Sequence, residues 1–152
     1  MTQENKELLL KELCSSLPYF TKAQINNEIV VLDSICDSDG YRFNFIGDDI
    51  EGVNIENIKP YLFPLSSMTE EQKKELFTLC DFYKYENEEG RTTEVLGIEI
   101  ASRPDPAYCY DHTFRIWGID MRAINWLLKN HFDIYGLIPM GLAIDATGLN
   151  IY

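Results

Sequence analysis

Hydrophobic and polar positions follow a helical rhythm at the start of the chain, a strand rhythm in the middle and a mixture of the two afterwards. From Thr2 to Leu17, the leucines at 9, 10, 13 and 17 recur at helical spacing with Cys14 beside them. Glu4, Lys6, Glu7, Lys11 and Glu12 fill the other face, so an amphipathic helix is expected, stopped by Pro18. Between Thr21 and Ile58 the runs shorten to strand length and are split by turn residues. Asn26-Asn27 joins Lys22–Ile25 to Ile29–Cys36, Asp37-Ser38-Asp39-Gly40 leads to Tyr41–Ile46, and Gly47-Asp48-Asp49 leads to Val53–Ile55. Tyr41, Phe43 and Phe45 alternate with Arg42 and Asn44, the pattern of a half-solvated antiparallel sheet.

Lys59-Pro60-Tyr61-Leu62-Phe63-Pro64-Leu65 reads as a stiff apolar connector. Ser67 with Glu70, or Thr69 with Gln72, then has the spacing of a helix-capping box, and the apolar stripe that follows predicts a helix over 69–84. Thr92–Ile100 and Tyr108–Trp117 read as strands. Asp120 is placed to cap a helix whose face carries Ile124, Leu127, Leu128 and His131, flanked by Trp126. The apolar run after His131 is interrupted by Gly136, Pro139 and Gly141, and it needs cover from other elements.

The expected class is therefore α+β: a small antiparallel β-meander, either an SH3-like barrel or a curled sheet on the first helix, followed by a second α+β layer with a C-terminal amphipathic helix. The boundaries fall at 1–65 and 66–152, with one continuous domain as the alternative. Pairing of Thr92–Ile100 into the sheet of residues 21–58 would make that alternative correct.

Thirteen basic against twenty-five acidic residues give a net charge of −12, which argues against nucleic acid or anionic membrane over any broad face and leaves room for a local basic patch. Cys14, Cys36, Cys80 and Cys109 form no C-x-x-C pair, so no zinc ribbon or thioredoxin-type pair is written. The charged N-terminus is unlike a signal peptide, and no apolar run approaches the roughly 20 residues of a membrane span. A cytoplasmic location is the expectation.

The chain resembles a family of small uncharacterised proteins found in mobile elements and prophages of gut anaerobes. The likeness rests on Leu17-Pro18-Tyr19, Lys59-Pro60-Tyr61-Leu62 with Pro64, Ser66-Ser67-Met68-Thr69-Glu70-Glu71, Trp126-Leu127, Asn130-His131-Phe132-Asp133, Gly136-Leu137-Ile138 and Gly141-Leu142-Ala143. It implies a bacterial or phage origin and supplies no site residues.

Histidine chemistry must use His112 or His131. Asp111 and His112 would point to opposite faces of a strand, and so would Cys109 and His112. His131 at a helix end has an ordinary capping role. A metal or acid–base site made of His112, His131 and Asp133 is the enzymatic candidate, and the fold decides it. Asp37-Ser38-Asp39-Gly40 fails as a calcium loop, because Ile35 and Ile46 would fall at ligand positions. The common nucleotide, hydrolase and metalloprotease signatures are absent. Tyr108, Tyr110, His112 and Phe114, with Arg103 nearby, line one face of a strand; they form either the inner face of a sheet or a recognition patch. The functional expectation is a non-enzymatic interaction or small-ligand-binding protein of a phage or mobile element, needing no cofactor and engaging a host protein or small molecule. A small enzyme with a His/Asp site is the rival.

Overall fold

In a computed structural model, residues 1–37, 41–46, 53–79, 83–86, 92–95 and 121–152 are described. They divide into two units, Met1–Ser67 with Leu128–Tyr152, and Met68–Leu127. The class is α+β.

The first unit begins with α1 (Gln3–Ser16), where Thr2 Oγ1 accepts from the Asn5 amide at 3.2 Å. Its buried stripe is Leu9, Glu12, Leu13 and Ser16. Those positions fall at i, i+3, i+4 and i+7, so Glu12 belongs to the inner face and corrects its expected place on the polar side. Leu17–Tyr19 makes one 3-10 turn around Pro18 and ends on Phe20, whose φ of 55° turns the chain into the sheet.

β1 (Lys22–Ile25), β2 (Glu28–Asp37) and β3 (Tyr41–Phe45) form the expected antiparallel meander. Asn26 and Asn27 both have positive φ, 51° and 68°, the geometry a two-residue hairpin matching the strand twist requires. Val53–Ile55 was expected as a further strand; instead, a 3-10 turn covers Ile55–Asn57, with Asn54 Oδ1 accepting from the Glu56 amide at 3.2 Å. The supposed connector supplies the fourth strand, β4 (Lys59–Leu62). It pairs with β1 at Ala23↔Pro60 and Gln24↔Lys59. Pro60 is tolerated because its second neighbour pairs only at the next two residues.

In the second unit, Thr69 and Gln72 close the capping box reciprocally at 2.9 and 3.2 Å, opening α2 (Glu70–Thr78). The helix stops well short of Lys84. Tyr83-Lys84-Tyr85-Glu86 alternates with period two, and it forms β5 (Tyr83–Glu86), paired antiparallel with β6 (Thr92–Val95) in a separate two-stranded sheet. Among the described residues, β6 therefore pairs with β5 and not with the meander. The strand expected at Tyr108–Trp117 and the cap expected at Asp120 lie outside the described residues. α3 (Met121–Lys129) buries Ala123, Trp126, Leu127 and Leu128.

The segment after α3 was expected with the second layer, but it belongs to the first unit. Phe63 N–H donates to His131 O and Asp133 N–H to Phe63 O, both at 2.8 Å, and β7 (Ile144–Asp145) then pairs parallel to β4. The resulting order is β3-β2-β1-β4-β7. Leu137, Leu142 and Ala143 thereby join Leu9, Leu13, Ala23, Ile25, Val30, Leu32, Phe43, Phe45, Ile58 and Leu62 in one core on the α1 side of the sheet. Among the described residues, no helix is long and apolar enough to cross a membrane.

Where β1 and β4 part, one step beyond their last paired positions, the Tyr152 hydroxyl accepts from Lys22 N–H at 3.1 Å and donates to Tyr61 O at 2.8 Å. A phenol thus replaces a ladder bond. Tyr152→Phe keeps the ring and leaves both backbone groups unmatched, so it should cost about 1–2 kcal/mol in urea unfolding and speed exchange of the Lys22 amide.

Candidate functional site

Two features of the first unit carry chemistry: a buried polar centre beside α1 and the outer face of the sheet.

The centre is organised by Asp133. Its Oδ1 accepts from Leu137 N–H at 2.7 Å and its Oδ2 from Ile138 N–H at 2.8 Å, and the amides of Tyr135 and Gly136 also turn towards it. Burial raises its pKa, and these four amides pull against that rise. Glu12 is 1% exposed, and neither carboxyl oxygen has a hydrogen-bond partner among the described residues. Burial, reinforced by the charge of Asp133, pushes its pKa up to about 8, so the side chain is mostly protonated at neutral pH.

His131 ends the α3 segment with φ 57°, its amide donating to Leu128 O at 3.0 Å. Its ring stacks on Tyr152 with centroids 3.7 Å apart and planes 10° from parallel. Burial, then the nearby Lys22 ammonium, lowers its pKa to about 4. Its Nδ1 is buried without a partner among the described residues, and the ring is neutral near pH 7. Lys22 Nζ donates to Ile151 O at 2.5 Å and lies 5.6 Å from the Tyr152 ring centre. Phe63 packs against Tyr152 and Phe132 at 5.9 and 6.3 Å. This is an aromatic clamp on the last two residues of the sequence.

Of the enzymatic candidates, His131 is therefore stacked and Asp133 holds loop amides, while His112 lies outside the described residues. Among the described residues, no group of three His, Cys, Asp or Glu side chains is placed to hold a metal ion. The recognition residues Tyr108, Tyr110, His112, Phe114 and Arg103 also lie outside the described residues.

The outer face follows from register. Ala23, Val30, Leu32, Phe43 and Phe45 point inward and are buried. Alternation then sends Lys22, Gln24, Ile29, Val31, Arg42, Asn44, Ile46 and Lys59 to the other side. Asn44 Nδ2 donating to Ser34 Oγ at 2.9 Å, across the β2–β3 bulge, fits that assignment. Ile29 is 55% and Ile46 49% exposed, and half-buried Val31 sits between them, its carbonyl accepting from the Ile46 amide at 2.9 Å. Sequence reasoning passed over this face because it followed the alternating aromatics inward; the signal was Ile29-x-Val31 followed across the hairpins to Ile46.

The chain matches no protein-family model, no curated protein and no solved structure.

Glu12 and His131 set opposite pH slopes. The carboxyl binds its proton more tightly when folded, so its contribution is full below the ordinary carboxylate pKa and is lost as pH rises towards 8. The imidazole binds its proton less tightly when folded, so stability is lost as pH falls from about 6.5 towards 4. The two offset each other over roughly pH 4.5–6.5, and Glu12 acts alone above it. Urea unfolding should show wild-type stability falling by roughly 1.4 kcal/mol per pH unit between about pH 6.5 and 7.5. Glu12→Gln or Glu12→Met should abolish that slope; a slope that survives both would place its origin elsewhere.

Proposed function

We propose that this is a non-enzymatic interaction protein, cytoplasmic and serving a phage or mobile element, that receives a host protein on the outer face of its first sheet. The observation carrying this reading is the aliphatic strip Ile29, Val31 and Ile46, in which Ile29 on β2 and Ile46 directly after β3 are about half exposed. Single exposed aliphatics are ordinary, but neighbouring ones on one sheet face supply desolvation energy to a docking partner. The rival enzyme reading draws no support from Asp133, whose oxygens are occupied by backbone amides, or from His131, whose ring is stacked and neutral. The acidic background of −12 favours solubility at high concentration and discourages nonspecific adhesion to nucleic acid.

The test is a photo-crosslinking residue placed at position 29 or 46, or at exposed Lys74 on α2 as control, in cells of a gut anaerobe. One protein should be trapped from positions 29 and 46 and not from 74. Ile29→Thr with Ile46→Thr, which keeps β-branched side chains and should cost less than about 1 kcal/mol of stability, should abolish the capture when the probe sits at position 31. Equal trapping from position 74, or capture unaffected by the double variant, rejects the reading.

A further inference from the structure

We propose that the segment seated on the outer face is an acidic amphipathic helix of a partner protein. This rests on the reading of that face as an interaction surface and adds the chemistry of what it takes.

The argument starts from charge. In a chain of −12, the outer face holds three cations by register, Lys22, Arg42 and Lys59, and among the described residues Glu28 stands at a hairpin end and Asp33 in the β2–β3 bulge. Arg42 and Lys59 are exposed and make no ion pair among the described residues, and Lys22 donates to a backbone carbonyl rather than to a carboxylate. Among the described residues, none of the three cations is paired with a carboxylate. Arg42 and Lys59 stand at opposite corners of the face, separated by three strand spacings and seven positions of register, about 25 Å. Ile29 and Val31, on β2, lie between them in strand order. Four or five helical turns span that distance, and an apolar stripe flanked by carboxylates would meet both the strip and the corners.

The protein's overall negative charge does not forbid an acidic partner, because fields beyond about 8 Å are largely screened at physiological salt whereas contact pairs are not. A single-stranded nucleic acid would meet the same cations, but it needs aromatic rings to stack its bases. The strip offers Ile29, Val31 and Ile46 instead.

The full chain, as wild type and as Arg42→Glu/Lys59→Glu, is titrated by fluorescence anisotropy with three labelled probes. They are a helical peptide with glutamates flanking a leucine stripe, its twin with lysines for glutamates, and oligothymidine of matching length. Wild type should bind the glutamate peptide at least tenfold more tightly than either other probe, and the charge-reversed variant, with an unchanged urea midpoint, should reverse the peptide preference. No binding of the glutamate peptide, equal binding of the two peptides, an unaltered preference in the variant, or tighter binding of oligothymidine overturns the assignment. Crosslinking at positions 29 and 46 keeps the two readings apart. A cellular partner trapped there with undiminished yield by the charge-reversed variant sinks the acidic helix and leaves the interaction surface standing.

Discussion

The carboxylate of Asp133 is the constraint on which the first unit most depends. After α3 the chain must run without regular structure through Asp133–Ala143, yet it must deliver Leu137, Leu142 and Ala143 to a core already bounded by α1 and the sheet. An irregular loop that enters a core exposes backbone amides to a dry environment, and each unmatched one costs stability. Asp133 gathers the amides of Tyr135, Gly136, Leu137 and Ile138 on one side chain. Gly136, at φ 70°, and Gly141, at φ 71°, supply the left-handed turns that let the loop curl around it. With those amides matched, the loop can bury apolar side chains as a helix or strand would.

Glu12 shows the other side of that arrangement. It occupies a core position on α1, close enough to Asp133 for the ionised carboxylate to disfavour a second negative charge. A leucine there would complete the stripe begun by Leu9 and Leu13. Keeping an acid at this position ties the packing of α1 to proton activity, and the neighbouring clamp of His131, Tyr152 and Lys22 responds to pH in the opposite sense. The polar groups inside this unit thus make its stability depend on pH.

The meander was legible because each of its signals is local: the Asn26-Asn27 turn, the alternation of Tyr41–Phe45 and the short run Lys22–Ile25 are read within a few residues. β4 was hidden because two prolines in seven residues imply a connector; whether Pro60 can stand in a strand depends on which neighbour faces its missing N–H, a fact of topology. β5 was hidden because Tyr83 falls at helical spacing from Leu76 and Cys80 and also at strand spacing from Tyr85. Glu12 was misplaced because acids are assigned to water by default, although its offset of three from Leu9 placed it inward. The outer face was harder still. Lys22, Arg42 and Lys59 are far apart in sequence, and only the register of four strands puts them on one surface.

Phe63 meets His131 and Asp133 through two backbone bonds, so the two segments of the first unit, Met1–Ser67 and Leu128–Tyr152, are joined across the intervening Met68–Leu127. In polymer terms that stretch is a loop closed by its host. The entropy of closing a loop grows only logarithmically, by about 0.6 kcal/mol for each doubling of length, so the host sheet is nearly indifferent to how long the excursion is. A change in the length of that stretch therefore adds little to the entropy of closing the first unit.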